Sequence, residues 1–399
     1  LCRSFDFDGI MWDVGPHIIF SKDKEVLDMM NTILEGNVHQ LRRSNRILHK
    51  GAMIQYPFEN DLSKLPKEDI EYCLNGFLYN PYERYDSQNM LQFFLKTFGE
   101  GITNIYLRPY NEKIWKFDPT FMDTQMVERI PKPPKEDITR SASGETIDGY
   151  VHQLYFSYPI SGGIAEIPKA FARGLGQKVK IHTKKNIERI EKKDTYRIIC
   201  DGLVMRADKI VSTIPINNFT QIYDGCDAEI RSISQQLRYN SIIIAIVQVS
   251  QDFVGDNFAC MVADKSVIFH RISKLGFLGD NYQKDNTTTY LIEITYRPHD
   301  IVDSMDDSEV MNHIKQGLYK IGFMDDATVI LGSQIKRFEY AYVVYDLKHK
   351  KHMEVLRSYF RNEDIWLHGR FGDFEYINMD KVIRNSLELS KVILSGELI

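Results

Sequence analysis

His368-Gly369-Arg370-Phe371-Gly372-Asp373-Phe374-Glu375-Tyr376-Ile377-Asn378-Met379-Asp380 runs into a stretch of helical spacing that ends near Leu394. Glycines beside an arginine at a strand-to-helix junction let backbone approach a ligand closely. The unsatisfied N–H groups at the start of the helix then suit an anion or a polarised carbonyl. A Gly-Arg-Phe-Gly run alone is weak evidence, but its position before the terminal helix makes it stronger.

Upstream, the pattern alternates between α and β. Lys22 to Glu35 has helical spacing (Val26, Leu27, Met30, Ile33, Leu34), and Asn89 to Leu107 has an apolar face from Leu91, Phe94, Leu95 and Phe98. Gly51 to Phe58 reads as a short strand, and Gly162-Gly163 as a turn opening a helix over Ile167 to Leu175. Lys178 to His182, Asn186 to Lys192 and Thr195 to Cys200 alternate as a hairpin set, with Asp201-Gly202 as a tight turn. Lys209 to Pro215 and Ile242 to Val249 read as buried strands, and Thr287 to Tyr296 is the clearest strand of a β-rich stretch from Ser241 to Arg297. Pro131 to Tyr150, rich in Pro, Lys, Ser and Thr, reads as a mobile connection. No internal repeat is visible.

At 399 residues the chain is long enough for two or three domains. Its composition, 43% hydrophobic and 26% charged, is that of a globular protein. The net charge of −5 is spread along the chain, which gives no reason to expect nucleic acid as a partner. No apolar run approaches the roughly 20 residues of a membrane-spanning helix. Cys2, Cys73, Cys200, Cys226 and Cys260 form no CxxC pair, so reduced thiols in a cytoplasmic setting are expected and no metal site is indicated. His349-Lys350-Lys351-His352 is expected to be a solvated basic face.

Three stretches carry candidate chemistry. Arg108-Pro109-Tyr110-Asn111-Glu112-Lys113-Ile114-Trp115, with Glu128-Arg129 beyond it, gathers an aromatic, an amide and two arginines near a helix end. A helix terminus packed by a Trp and capped by Arg would look the same. Tyr56-Pro57-Phe58-Glu59-Asn60 reads either as a ligand-facing turn or as a proline corner between domains. The third is the segment quoted first.

Taken together and in order, these elements resemble the UDP-galactopyranose mutases, flavoenzymes related in fold to amine oxidases and protoporphyrinogen oxidase. The elements are Asp13 to Ser21, Tyr56-Pro57-Phe58, Gly99-Glu100-Gly101-Ile102 leading into Arg108 to Asn111, Arg129, Arg271, Phe338 to Tyr342, and Gly369 to Asp380. Tyr158-Pro159, Gly162-Gly163, Ile167-Pro168, and Asn186 through Pro215 are similar to the wider flavoprotein group. The resemblance covers nearly the whole chain. It also implies that the phosphate-cradling strand, G-x-G-x-x-G turn and helix lie upstream of Leu1, over roughly 35 to 40 residues.

The resemblance implies an α/β (α+β mixed) fold. A discontinuous FAD-binding, Rossmann-like domain would take residues 1–58, 151–215 and 363–399. A helical substrate-covering insertion would take 59–150, and a mostly antiparallel sheet domain 216–362. It further implies an FAD cofactor, reduced for activity, an electron donor for it, and a UDP-sugar substrate. The reduced flavin N5 would attack the anomeric carbon and hold the sugar while its ring opens and recloses, so that pyranose and furanose forms interconvert for cell-surface glycan synthesis.

By motif, Arg129 and Arg271 would clamp the diphosphate, and Tyr342 and Tyr376 would donate hydroxyls to it. Phe58, Tyr106, Asn111 and Trp115 would line the uridine and sugar pocket. Gly15 and His17 would face the flavin; Gly369, Arg370, Met379 and Asp380 would hold its ring; Ile187 would lie near the adenine. Surface or core roles for Arg271, Trp115 and the two tyrosines remain open from sequence. Three departures leave an FAD-dependent oxidase or dehydrogenase as the alternative: Pro16 where mutases carry a second Gly, Glu59 where closer relatives carry Gln, and Asn378 where bacterial members carry Asp.

Overall fold

In a computed structural model the structure describes residues 2–128, 130–145, 147 and 154–395. The chain divides into two compact units, one spanning Leu1–Phe171 and Asn240–Ala341, the other Ala172–Tyr239 and Tyr342–Ile399. The architecture is mixed α/β, as expected.

The first unit is built on a seven-stranded sheet. Its order is Ile330–Val344, Arg238–Val249, Thr288–Tyr296, Arg271–Lys274, Ala259–Val262, Asn45–His49 and Ala52–Gln55. The pairings resolved between neighbours are antiparallel except that between Ala259–Val262 and Asn45–His49, which is parallel. The unbroken apolar run in Arg238–Val249 is explained by burial on both faces: every residue from Asn240 to Val249 is buried. On one face Ile243, Ala245, Val247, Ile272, Ile292 and Ile294 meet Val310, Ile314 and Leu318 of the helix Asp307–Lys320. That helix starts at a capping box between Asp306 and Glu309. Truncating Leu318 to Ala in this core would cost about 2–5 kcal/mol.

Helices Lys67–Leu78 and Met90–Ile102 pack together in the same unit through glycine. A Cβ on Gly99 would stand 2.1 Å from the Gly76 carbonyl oxygen, and one on Gly101 2.4 Å from that of Tyr72. The Gly99-Glu100-Gly101 motif therefore sets how closely the two backbones approach. The expected helix over Asn89 to Leu107 differs at its end, where Thr103–Leu107 is a π-helical turn before the helix Arg108–Trp115. The connection expected to be mobile over Pro131 to Tyr150 contains the helix Lys135–Ala142, anchored by buried Ile138 and by Ser141, whose Oγ accepts from Leu62 N at 2.8 Å.

The second unit holds a three-stranded antiparallel sheet, Ile187–Lys192, Tyr196–Cys200 and Leu203–Ala207, closed at Asp201-Gly202 with both residues at positive φ, 46° and 75°. Ile210–Ser212 pairs in parallel with Ile365–Leu367. Helices His349–Asn362 and Met379–Ser395 flank the Gly369–Gly372 turn in sequence. Lys178 to His182 forms no strand: Val179 and Ile181 are exposed, and no described strand lies beside them to pair with. In the run His349 to His352, Lys350 and Lys351 are exposed as expected and His352 is half-buried, but His349 turns inward. His349 is buried, and its Nε2 bonds the Phe374 carbonyl at 2.8 Å. Among the described residues no disulfide forms, no helix is long and apolar enough to cross a membrane, and no group of three ligating side chains gathers.

A buried polar knot closes the amino-terminal part of the first unit. Asp13, ending the strand Ile10–Asp13, accepts from Ser4 Oγ at 2.6 Å, Tyr158 Oη at 2.5 Å and Ile164 N at 3.1 Å. Tyr282 Oη accepts from Gly163 N and donates to the Pro159 carbonyl, at 3.2 and 2.7 Å. Burial pushes the Asp13 carboxyl up from 3.8 to about 6, against the lowering effect of its hydrogen bonds. A folded-state value above the unfolded one favours the protonated native form. Its stabilising contribution is complete below about pH 4 and is lost as pH rises through about 6, a change of roughly 3 kcal/mol. Denaturant midpoints followed over this window should fall with pH more steeply in the native sequence than in Asp13→Asn; equal slopes would show that Asp13 carries no such shift.

Candidate functional site

The loop that follows Asp13 turns tightly. Gly15 N donates to the Asp13 carbonyl and His17 N to that of Gly15, both at 2.8 Å, with Gly15 at φ 83°. A Cβ there would lie 3.4 Å from Glu293 Oε2 and 3.9 Å from Arg271 Nη2. A Cβ would only touch this pair, so it is the positive φ of the turn that calls for glycine here.

Arg271 and Glu293 are direct cross-strand partners. Arg271 Nε donates to Glu293 Oε1, and its Nη2 to Oε2 at 2.7 Å, a two-point clamp on a carboxylate that is 0% exposed. Half-buried Arg271 is thus held in one plane. His270 lies beside the pair, with Nε2 3.9 Å from Glu293 Oε2 and Nδ1 3.4 Å from Thr295 Oγ1. Burial, then the charges of Arg271, Lys113 and Lys116, hold its imidazole well below the usual value, so it is neutral at pH 7.

A file of rings leads away from His270. Tyr110 meets it edge-on at 6.4 Å, Tyr106 stacks on Tyr110 at 5.3 Å, and Phe58 stacks on Tyr106 at 5.0 Å. The π turn brings Tyr106 into this file, where burial raises its phenol well above the usual range. Asn111 and Trp115 lie on the next helix and bond to one another, Trp115 Nε1 donating to Asn111 Oδ1 at 2.9 Å, while Asn111 Nδ2 donates to the Leu107 carbonyl at 2.7 Å. Lys113, on the same helix, donates to the carbonyls of Val262 and Asp264 at 2.9 and 2.7 Å, and burial lowers it to about 7.

Arg43 completes this part of the first unit. Its guanidinium lies 5.0 Å over the Phe20 ring, and its buried Nε and Nη2 have no hydrogen-bond partner among the described residues. Burial, then repulsion from Arg271, depresses it, while Tyr56 acts the other way. Buried donors left open in this manner await an acceptor.

In the second unit Tyr342 and Tyr376 face each other at 5.9 Å, and the Arg370 guanidinium lies 4.8 Å over the Tyr376 ring. Arg370 Nε and Nη2 donate to the Ile377 carbonyl at 3.0 and 2.8 Å, and Tyr376 N donates to Tyr345 Oη at 2.7 Å. Gly369 follows His368, whose backbone N donates to the Ser212 carbonyl at 2.9 Å. Met379 and Asp380 open the terminal helix, and Ile187 stands at a bulge in its strand. The structure thus brings Gly15 and Arg271 together, stacks Phe58 on Tyr106, and joins Tyr342, Tyr376 and Arg370. Arg129 lies outside the described residues.

Sequence reasoning passed over Arg43, Tyr110, His270 and Glu293. Two of them carried a signal. Glu293 is an acid amid the apolar strand Thr288–Tyr296, where burial demands a partner. In Arg42-Arg43, at the end of the strand His39–Arg42, alternation turns one of two adjacent arginines inward.

Compared with known proteins, residues 1–345 match the family model for flavin containing amine oxidoreductase. The fold is similar to a crystal structure of reduced UDP-galactopyranose mutase, with a TM-score of 0.90 and 22% identity over 100% of this chain and 88% of that one. It is similar to a protein assigned as a protoporphyrinogen oxidase from Exiguobacterium sp. 255-15, with a TM-score of 0.71 and 16% identity over 97% and 90%. It is also similar to putrescine oxidase bound to putrescine, with a TM-score of 0.61 and 13% identity over 98% and 90%.

FAD is the cofactor these findings point to. The residues present fit it. In the first unit, the donors on Arg43 that are open among the described residues and the close-lying Gly15 loop suit a group rich in carbonyl and phosphate oxygens. Arg43→Met removes a guanidinium whose Nε and Nη2 find no partner among the described residues. The FAD-free variant should melt no lower than the native protein, while its rise in melting temperature on adding FAD and UDP together should shrink by roughly several degrees. An unchanged ligand-induced rise in a thermal scan would count against a ligand-holding role.

Proposed function

The chain belongs to the flavin containing amine oxidoreductase family, and from that premise we propose that it is an FAD-dependent mutase interconverting the pyranose and furanose forms of a UDP-sugar for cell-surface glycan synthesis. The observation that carries this reading is Arg271 held flat by buried Glu293 beneath Gly15, with the file of His270, Tyr110, Tyr106 and Phe58 beside it. A fixed guanidinium suits a diphosphate, and stacked rings suit a base or a sugar face.

When bound and reduced, the flavin supplies the nucleophile towards the anomeric carbon. The chain's own task is to position the sugar and to stabilise the leaving diphosphate. Arg271 needs no reorientation at that step because both its Nε and its Nη2 are already engaged by Glu293. Neutral His270 adds no charge that would compete for the diphosphate. In this reading Arg129 is the second cation of the clamp. Tyr342 and Tyr376 donate hydroxyls, Phe58, Tyr106, Asn111 and Trp115 form the uridine and sugar wall, and His17 orients the loop at the flavin. Gly369, Arg370, Met379, Asp380 and Ile187 are assigned to the flavin and adenine, and a separate electron donor would reduce the cofactor.

Of the three departures behind the oxidase or dehydrogenase alternative, Pro16 in the Gly15 loop bears most directly on the site. It fixes φ and lacks an N–H, which stiffens a loop that mutases build with a second Gly. The deciding experiment reduces the flavin of the FAD-loaded protein with dithionite, adds UDP-galactofuranose and follows UDP-galactopyranose by chromatography. Conversion is expected only in the reduced state, and Arg271→Ala should lower kcat/KM by roughly 100-fold. No conversion with bound, reducible FAD would turn attention to oxygen consumption and the oxidase class.

A further inference from the structure

The segment after the Gly369–Gly372 turn is gripped residue by residue from outside. His349 Nε2 bonds the Phe374 carbonyl at 2.8 Å. Arg357, further along the same helix His349–Asn362, donates from Nη2 to the Asp373 carbonyl at 3.2 Å and to Glu375 Oε1 at 2.5 Å, and from Nε to Asp373 Oδ1 at 3.4 Å. Tyr345 Oη accepts from Tyr376 N at 2.7 Å. Asp373, Phe374, Glu375 and Tyr376 are therefore each bonded to a side chain of Tyr345, His349 or Arg357.

Helical spacing places this grip. His349, Met353, Leu356 and Phe360 lie on one face of the helix and are all buried, so the stripe that seats the helix also turns His349 inward. A carbonyl can only accept, so Nε2 carries the imidazole proton. Nδ1, buried and without a partner among the described residues, then carries none. Burial lowers the imidazole below its usual value, which suits this neutral form.

What is gripped is an unfavourable backbone. Phe374 stands at φ 51° with its ring buried. Left-handed backbone suits glycine, and a bulky residue keeps it only where the surroundings hold it there. The Phe374 ring lies 5.9 Å from Phe371 and 6.3 Å from His349, which in turn lies 4.4 Å from Tyr345. The reversal at Phe374 returns the chain to Arg370. Glu375 N donates to the Arg370 carbonyl at 2.8 Å, and the Arg370 guanidinium donates to the Ile377 carbonyl. Tyr376, between these two anchors, has its ring 4.8 Å from that guanidinium and 5.9 Å from the Tyr342 ring.

We propose that His349 is a positioning residue: it holds Phe374 in its left-handed conformation and, through that turn, sets where Tyr376 presents its hydroxyl. Arg357 supports the same turn at the residues on either side of Phe374. The consequence for the diphosphate rests on the mutase reading, in which Tyr376 donates to it. His349 acts only through the turn.

The test uses the FAD-loaded full-length protein with its flavin oxidised and UDP as the probe. His349→Leu removes the donor, and His349→Gln keeps an N–H at the same reach. The calorimetric Kd for UDP should rise roughly tenfold in His349→Leu and return to within about twofold of native in His349→Gln. In a Tyr376→Phe background His349→Leu should add less than about twofold, because the hydroxyl it places is gone. Without any UDP, hydrogen exchange at the amides of Glu375, Tyr376 and Ile377 should quicken roughly tenfold in His349→Leu and stay native in His349→Gln. A lowered melting temperature with native UDP affinity would leave His349 a purely structural residue and overturn the proposal. Unchanged exchange, or full additivity with Tyr376→Phe, would overturn it too. Arg357→Met, at a half-buried position, is read in the same way if His349→Leu does not fold. If the native protein binds no UDP, the mutase reading fails and the diphosphate role with it, while the exchange rates still decide whether His349 holds the turn.

Discussion

Asp13 is the point on which the amino-terminal part of the first unit turns. One carboxylate, almost wholly removed from water, gathers hydrogen bonds from a serine nine residues back, a tyrosine in a distant strand and the backbone of the Gly163–Ile164 turn. Burying it is unfavourable by itself, and the bonds it collects are what make the burial tolerable. Because Asp13 also accepts the Gly15 N–H through its backbone carbonyl, the knot sets where the Gly15 loop leaves the strand.

That placement governs the candidate site. Gly15 supplies the positive φ with which the loop turns beside Arg271 and Glu293, and Arg271 keeps one orientation through its two bonds to the buried Glu293. A buried pair of this kind contributes orientation more than net stability, since desolvation offsets most of its attraction. Two irregularities arrange the rings beside it. The glycine contact between helices brings Met90–Ile102 close to Lys67–Leu78, and the π turn re-aims Tyr106.

Much of the fold was legible as pattern. The continuous apolar run of Ile242 to Val249 and the clear strand at Thr287 to Tyr296 are neighbours in the sheet, and Asp201-Gly202 is the turn its residues demand. The pattern misled where stability came from elsewhere. Lys178 to His182 alternates like a strand but is exposed and pairs with no described strand; Val179 N turns back to the Gly176 carbonyl instead. Pro131 to Tyr150 has the composition of a linker, yet Ile138 and Ser141 are held by the turn beside Leu62. His349 stands in a run of lysines, but helical spacing turns it inward to the Phe374 carbonyl.

The sequence by itself determined the family, the alternation of helices and strands, and a set of residue types suited to a flavin and an anion. These follow from local periodicity, from the spacing of motifs, and from residues such as Gly15 and Arg271 whose chemistry is hard to replace. Tertiary structure alone decided that Glu293 clamps Arg271, that His270 is neutral and that Arg43 holds donors open among the described residues. The physical reason is that charge state and orientation depend on burial and on neighbours far away in the chain. Arg271 and Glu293 are 22 residues apart, and only strand register brings them face to face.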